Sequence, residues 1–418
     1  MITAAVVALA AASASDRGTR TTHRVFGRAS AIVSPTHVDA VPASVLRAAS
    51  SVTIAVIDTG ADVTAPDIAA KAPATWNTRT SSPDVRDVNG HGTFVASLAA
   101  GSVTNGDGID GAGGDAQLMI VKAVGDGGSF SDADEAAGIV YAVDHGAKIL
   151  NLSVGGPKTS STERRAVQYA IDHGVLLVAS VGNELQSGNP VEYPAALLQP
   201  AGSDGVGGAG LAVTSSTPDG RHASYANTGS WVSVAAPGDH VLGAVSAAAP
   251  ALTYPREAVP GVQTGLYGYG SGTSFATPLV SGAAALVWAA NPGLTAQQVA
   301  QILKETASGH GHWTPELGFG VIDAAAAVAR AQSGAPGVLL SGSRDRAGAK
   351  LAWSGTATAY RLTMATDGRA TGPLLWSTPL TSTTVELTKG HRYSFRVTAL
   401  DASGSPTATS TALTFVVR

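Results

Sequence analysis

From Val52 onward the chain repeats a pattern that few folds accommodate. Val52-Thr53-Ile54-Ala55-Val56-Ile57 is an almost unbroken apolar, β-branched run, the pattern of a strand covered on both faces. Leu118 to Val124, Lys148 to Leu152 and Val175 to Ser180 read the same way. Segments with helix punctuation lie between them: Ser160 and Glu163 have capping-box spacing, and Gly174 stops the helix that follows. Strands alternating with helices predict an α/β fold, a parallel sheet with helices on both faces.

A chain of 418 residues has room for one large core and a smaller module. Apolar residues make up 44% and charged residues 13%, a balance that favours folding over disorder. The formal charge is -4, and no basic block interrupts the chain, so no nucleic-acid partner is expected. Without cysteine there can be neither a disulfide nor a thiolate metal site. Thr3 to Ala12 is a run of small apolar residues ending in Ala12-Ser13-Ala14, the small-x-small form of a secretory cleavage site. Residues 1–14 are therefore expected to be a signal peptide and the protein to be secreted, although no basic residue precedes the run. No later stretch reaches the roughly 18 uninterrupted apolar residues of a membrane span.

The two echoes Asp144-His145-Gly146 and Asp172-His173-Gly174 each close a helix before a strand. A catalytic reading of these histidines competes with a structural one. A cation at a helix C-terminus is favoured by the dipole, and glycine is the usual stop, so the structural reading is preferred.

Composition changes after Arg330. Residues 333–337, Ser-Gly-Ala-Pro-Gly, look like a linker. Beyond it come short alternating strands at Gly348 to Trp353, Tyr360 to Met364, Thr383 to Leu387, Tyr393 to Leu400 and Leu413 to Val417, separated by turn residues, which predict a small all-β sandwich over 338–418. That segment resembles a fibronectin type III domain, with Trp353 as the early core aromatic and Tyr393 as the candidate tyrosine corner.

Chemistry concentrates in four short segments: Asp58-Thr59-Gly60, Asn89-Gly90-His91-Gly92-Thr93, Val181-Gly182-Asn183 and Gly272-Thr273-Ser274-Phe275-Ala276-Thr277-Pro278. A serine hydroxyl becomes a useful nucleophile when an imidazole takes its proton, and the imidazole needs a carboxylate to fix its tautomer. Asp58 ends a buried strand, so its carboxylate should emerge where open α/β sheets place their ligands. His91 and Ser274 each open a helix, and the glycines beside His91 are expected to leave room for substrate backbone. Backbone amides at the start of the Ser274 helix point toward a developing oxyanion.

Four such segments in this order resemble the subtilase family of serine peptidases. The resemblance covers about residues 50 to 330, with the connectors Asn151-Leu152-Ser153-Val154-Gly155-Gly156, Tyr193-Pro194-Ala195, Ala235-Ala236-Pro237-Gly238 and Leu317-Gly318-Phe319-Gly320. It implies a subtilisin-like peptidase domain over 51–332, preceded by an N-terminal strap within 15–50; the folding-assisting propeptide usual in secreted members does not fit there, so either the enzyme matures without one or the given sequence starts after it. It also implies a serine endopeptidase working on polypeptides as a monomer. Ser274 would attack, His91 act as base and then acid, and Asp58 orient His91. Asn183 and the Ser274 amide would hold the oxyanion, and Ser153, Val154 and Gly155 would bind substrate.

By the same resemblance Glu192 lies at the base of the primary pocket and Glu184 at its rim. Two carboxylates there favour lysine or arginine before the scissile bond; with Glu192 turned to solvent the family's broad apolar preference would remain. The family also implies a structural calcium ion, for which Asp67 and Asn105 are the candidate ligands, with Asp107 and Asp110 readable as turn residues. No organic cofactor is expected. The alternative class is a binding protein on a silent peptidase scaffold.

Overall fold

The computed structural model describes residues 36–102, 108–199, 204–205, 208–250, 254–257, 266–333, 338–344, 348–355, 357–410 and 412–417. The first fourteen residues, Asn105 and most of the linker at 333–337 lie outside them.

The apolar runs become strands of one sheet: β1 (Thr53–Asp58), β2 (Ala74–Asn77), β3 (Gln117–Lys122), β4 (Ile149–Leu152), β5 (Leu176–Ser180), β6 (Gly210–Ser216) and β7 (Val234–Pro237). Their order is β2-β3-β1-β4-β5-β6-β7, and every pairing is parallel. β1 sits between β3 and β4, and its side chains alternate between two cores. Ile54 and Val56 enter one; Ala55 and Ile57 enter the other. That is why the run has no polar phase: neither face meets water.

The helices are α1 (Ala43–Ala48), α2 (Pro66–Ala69), α3 (His91–Ala100), α4 (Asp132–Asp144), α5 (Ser161–Asp172), α6 (Thr273–Ala290), α7 (Ala296–Thr306) and α8 (Ala324–Gln332). Phe94, Val95 and Leu98 of α3 and Leu279, Val280 and Ala283 of α6 fill the core on the Ile54 side. Ala136 and Ile139 of α4 with Ala166 and Val167 of α5 fill the other. By length and composition α6 is the one helix among the described residues that could cross a membrane; here it is the buried axle of the larger core. Its middle passes so close to the loop before β3 that a Cβ on Gly282 would stand 2.5 Å from the Gly113 nitrogen.

Helix ends follow the local rules. Ser160 Oγ accepts the Glu163 amide at 3.2 Å. Gly146 and Gly174 take φ of 85° and 71°, and the rings of His145 and His173 bond back to Tyr141 O at 2.7 Å and Tyr169 O at 2.8 Å. Both histidines are helix caps.

A parallel sheet puts every strand's carboxyl end on one edge. Asp58, Ser153 and Asn183 all follow strands out of that edge, and α4 and α5 begin there.

The C-terminal region is all-β. A short antiparallel ribbon of β8 (Val241–Ala244), β9 (Arg256–Glu257) and β10 (Tyr267–Gly270) precedes it, within the larger domain. One sheet holds β11 (Leu339–Arg344), β12 (Ala349–Ser354) and β15 (Ser382–Val385). The other holds β13 (Ala359–Thr366), β14 (Arg369–Thr378), β16 (Arg392–Leu400), β17 (Pro406–Thr409) and β18 (Leu413–Val416). Leu351 and Trp353 from the first sheet meet Leu362, Phe395 and Val397 from the second. Tyr393 Oη accepts the Thr388 amide at 3.0 Å, tying this strand to the turn before it. The five strands read from sequence are present. β11, β14 and β17 were not foreseen; in β14 Gly372 and Pro373 break the alternation and its face is mostly exposed, as an edge strand tolerates. The β-region touches the larger domain where His312 bridges to Gly342 and its ring meets Phe415, centroids 5.7 Å apart.

Gly282→Val should lower stability by about 1–3 kcal/mol, the usual cost of overpacking a tight core contact. A denaturant titration of the two proteins reads this directly.

Candidate active site

Asp58 ends β1 fully buried. Its Oδ1 lies 2.8 Å from His91 Nδ1 and accepts the Thr59 amide at 2.7 Å. Asp58 Oδ2 is also buried and takes no hydrogen bond among the described residues, so the imidazole is the main group facing this charge. His91 is the first residue of α3, its side chain 20% exposed. With Nδ1 held by a carboxylate, Nε2 is the nitrogen left to exchange protons. Desolvation pulls the imidazole pKa down, but the Asp58 charge, its hydrogen bond and the charge of Asp87 outweigh it, and the net direction is up.

What fixes the distance between Asp58 and His91 is Asp87. This fully buried carboxylate accepts Thr59 Oγ1 at 2.9 Å, Asn89 N at 3.2 Å and Gly90 N at 2.8 Å on Oδ1. On Oδ2 it accepts Thr93 N at 2.9 Å and Thr93 Oγ1 at 2.5 Å. Thr59 Oγ1 in turn accepts the Gly92 amide at 2.9 Å. The residue after Asp58 and the first turn of α3 are thus tied to one side chain. Lys122, at the end of β3, adds a second brace: its ammonium donates to Thr59 O at 2.6 Å, Arg86 O at 3.0 Å and Asp126 Oδ1 at 2.8 Å.

The glycines beside His91 serve this packing. A Cβ on Gly92 would run into Gly60 O, and Gly90, at φ 95°, faces Ala249 and Tyr254. The space expected for substrate backbone is filled by the protein itself.

Ser274 is the second residue of α6. Its Oγ donates to Ser153 O at 3.0 Å, while Ser153 Oγ donates to Ser274 O at 2.8 Å. Behind them Asn151 Nδ2 donates to Ser153 Oγ at 2.9 Å, and Ser281 Oγ donates to Asn151 Oδ1 at 2.8 Å. A buried polar chain therefore locks the loop after β4 onto the nucleophile's helix. The expected row of three is joined between Asp58 and His91 only; the serine hydroxyl has turned to a carbonyl. Catalytic hydrogen bonds are commonly looser without substrate. The His91 ring and that of Phe275, next to Ser274, have centroids 5.7 Å apart, which brings the start of α6 up to the imidazole.

Asn183 lies beside them. Its Oδ1 accepts Thr273 N at 2.8 Å and Thr273 Oγ1 at 3.1 Å. The carboxamide oxygen is thus consumed in capping α6, and the amide NH₂ stays available as a donor.

Glu192 is buried, and Glu184 is exposed. Glu184 Oε2 accepts the Asn183 amide at 2.7 Å and Asn227 Nδ2 at 3.3 Å. Glu192 does not turn into solvent. An ideal Cβ on Gly182 would come within 2.5 Å of its Cγ, and one on Gly155 within 3.4 Å of its Oε2. The side chain lies between these two glycine-lined segments. Burial and then the Glu184 charge raise its pKa to about 7.

Asp67 is buried, with Oδ2 accepting Tyr267 Oη at 3.0 Å and Ile109 N at 3.4 Å. Its proposed co-ligand Asn105 is outside the described residues.

Asp87, Lys122, Asn151 and Ser281 were not foreseen. Only Asp87 left a local trace, the Asp-x-Asn-Gly spacing of a side-chain-to-backbone turn; the others act across elements.

An acid–imidazole pair and a serine at a helix N-terminus, on the carboxyl edge of a parallel sheet, define a serine-peptidase class of site. The profile of the Subtilase family matches residues 49–320, and the chain belongs to that family. It is 34% identical over 274 residues to thermitase of Thermoactinomyces vulgaris, covering 65% of this chain and 87% of that protein. It is also 34% identical over 263 residues to the thermophilic serine proteinase of Bacillus sp. strain AK1, covering 63% of this chain and 58% of that one. In fold it is similar to fervidolysin from Fervidobacterium pennivorans, described as a keratinolytic enzyme related to subtilisin. The TM-score is 0.61 at 22% identity, over 88% of this chain and 71% of that one.

Asp87→Asn removes a negative charge that favours imidazolium and replaces one of the loop's two acceptor oxygens with an NH₂ donor facing other donors. The acid limb of the pH–rate profile should move to lower pH, with kcat/KM down about tenfold or more from loss of buried hydrogen bonds. Rates measured across pH on one peptide check both.

Proposed function

We propose that this protein is an active serine endopeptidase using Asp58, His91 and Ser274 through an acyl-enzyme. The observation that carries the reading is the 2.8 Å Asp58–His91 contact, with the His91 ring packed on that of Phe275, the residue after Ser274. On substrate binding the Ser274 hydroxyl swings from Ser153 O to His91 Nε2, which takes its proton as Oγ attacks the carbonyl. Asp58 stabilises the imidazolium, and His91 then delivers the proton to the leaving amine. Charge building on the carbonyl oxygen meets the Ser274 amide, an orphan donor of the first helical turn, and the Asn183 amide, aimed by its anchored oxygen. Water repeats the sequence to release the acid. The expected outcomes are loss of peptide hydrolysis in Ser274→Ala and a loss of about 3–4 kcal/mol of transition-state stabilisation in Asn183→Ala. Ser274→Ala should also abolish labelling by a fluorophosphonate.

The primary pocket, floored by Glu192 with Glu184 at its rim and Gly155 as a wall, favours lysine or arginine before the scissile bond. Ser153 and Val154 continue the contact with substrate. Glu192 is neutral below about pH 7 and charged above it, so the basic preference should strengthen as pH rises through 7. Cleavage-site profiling of a mixed peptide library on either side of that pH reads this. A profile without basic enrichment, or one unchanged in Glu192→Gln, excludes the acidic pocket.

Calcium fits at Asp67. The turn at Gly108, φ 97°, presses directly on the Asp67 carboxylate, where a Cβ would collide, so the loop at Gly108 packs on this side chain. Asp67 and Asn105 would hold the ion, which supplies positive charge cross-linking that loop to α2. A chelator should lower the melting temperature.

The remaining organisation completes the proposal: a signal peptide at 1–14 with secretion, a strap within 15–50, a peptidase domain over 51–332, a linker at 333–337 and a fibronectin type III-like spacer over 338–418, acting as a monomer. The Thr388–Tyr393 bond and buried Trp353 support the last module.

A further inference from the structure

The C-terminal module differs in charge from the rest of the chain. Residues 338–418 carry nine Lys and Arg against four Asp and Glu, while the whole chain has 26 against 30. Three of those arginines stand on the outer face of the larger sheet. Leu362, Phe395 and Val397 pack into the module's core, so the residues between them on β13 and β16 point outward. There Arg361 stands opposite Thr398, and Thr363 opposite Arg396. Thr398 Oγ1 lies 3.0 Å from Thr409 Oγ1 on β17, and Arg392 and Arg396 are exposed. No carboxylate pairs with Arg361, Arg392 or Arg396 among the described residues; the arginine ion pairs lie at Arg79, Arg221 and Arg330. The nearby acids are engaged in turns. Asp367 pairs with His391 at 2.7 Å, and Asp401 accepts the Ser403 hydroxyl at 2.6 Å and the Ser405 amide at 2.9 Å.

The same face carries Trp376, at 68% the most exposed large apolar side chain among the described residues. It lies on β14, the free edge of the sheet. Leu375 before it packs against the core, so Trp376 faces away. The Arg361 guanidinium stands 5.3 Å from its ring centroid, and Arg361 Nε donates to Trp376 O at 3.4 Å. Ring and guanidinium thus hold each other in place, which lowers the entropy lost when either meets a ligand. Phe415, which meets His312 of the larger domain, belongs to β18, and β13 and β16 separate β18 from β14. A ligand on β14 therefore lies at the edge away from that contact.

We propose that the outer face of β14, β13 and β16 binds a polysaccharide bearing uronic-acid carboxylates, with Trp376 stacked on a sugar ring and Arg361 and Arg396 taking the carboxylates. The C–H face of a pyranose covers an aromatic ring, and short hydroxyl side chains exchange hydrogen bonds with sugar hydroxyls. A guanidinium matches a carboxylate with two parallel bonds. A single-stranded nucleic acid fits this face less well, because successive bases want several stacking rings and one is present. A protein partner would want a broader apolar centre than one ring among arginines and threonines. The module then anchors the protein to an anionic matrix, a role beyond that of a spacer and independent of the triad.

The test is affinity electrophoresis of the full-length protein in native gels cast with polygalacturonate, with dextran as the neutral control. Polygalacturonate should retard the protein and dextran should not, and added sodium chloride should weaken the retardation. Trp376→Ala and Arg361→Gln should each raise the dissociation constant by about tenfold or more, as loss of an aromatic or arginine anchor does. Both variants should keep the parent's melting temperature and its rate on a short peptide, since both side chains lie on the module's surface. Retardation of a protein that cleaves no peptide would reject the peptidase reading and keep the anchor. No retardation at low salt, equal retardation by dextran, or an affinity unaltered in both variants overturns the proposal. So does tighter binding of single-stranded DNA than of polygalacturonate. Concentration-dependent sedimentation that disappears in Trp376→Ala also overturns it, and assigns the face to a second copy of the chain.

Discussion

The site is held together by a carboxylate that takes no part in the chemistry. Asp87 is buried at the junction of the loop after β1 and the first turn of α3, and all five of its hydrogen bonds go to residues flanking Asp58 or His91. A buried acid is tolerable only when its oxygens are satisfied. Fully satisfied, it becomes a rigid connector, because any drift of either loop exposes an unmet charge. The Asp58–His91 distance follows from that requirement as much as from the pair's own attraction. The same charge also contributes to the upward pressure on the imidazole pKa, so geometry and proton affinity at His91 share one source.

The nucleophile is positioned by a different device. Ser281, Asn151 and Ser153 form a polar chain from the middle of α6 to the loop after β4, and Asn183 caps the first turn of the same helix. Asn151 and Ser281 are wholly committed to the scaffold, whereas Asn183 has only its oxygen so committed. Fixing that oxygen leaves its amide no freedom to turn away. Close approach between these elements depends on missing side chains, as where Gly92 meets Gly60 and Gly282 meets Gly113. These glycines relate to contact between backbones, and the reading of Gly90 and Gly92 as space for substrate mistook an internal contact for an external one.

Much of the architecture was legible locally. The runs at Val52 to Ile57 and Val175 to Ser180 carry no polar phase, and the structure buries both of their faces. The His145 and His173 caps were readable from dipole and glycine rules, because helix termini are local events. Strand β14 was not, since an exposed edge strand interrupted by Gly372 and Pro373 carries no alternation to detect. At the site, Asp58, His91, Ser274 and Asn183 stood out as rare polar residues among small ones. Lys122, Asn151 and Ser281 did not, because lysine at a strand end or serine inside a helix looks ordinary until its partner on another element is known.

Sequence by itself determined the strand–helix alternation, a parallel sheet built on four of its seven strands, the change to β-structure after Arg330, and which four polar groups to examine for chemistry. Those features depend on the period of apolar residues and on local capping, both of which act over a few positions. Tertiary structure alone decided that Glu192 lies under two glycine segments instead of reaching solvent, that the Ser274 hydroxyl rests on Ser153, and that Asp87 ties both catalytic loops together. Each of these is set by what distant elements bring within a few ångströms, and neither electrostatics nor close packing across such contacts leaves a periodic mark on the chain.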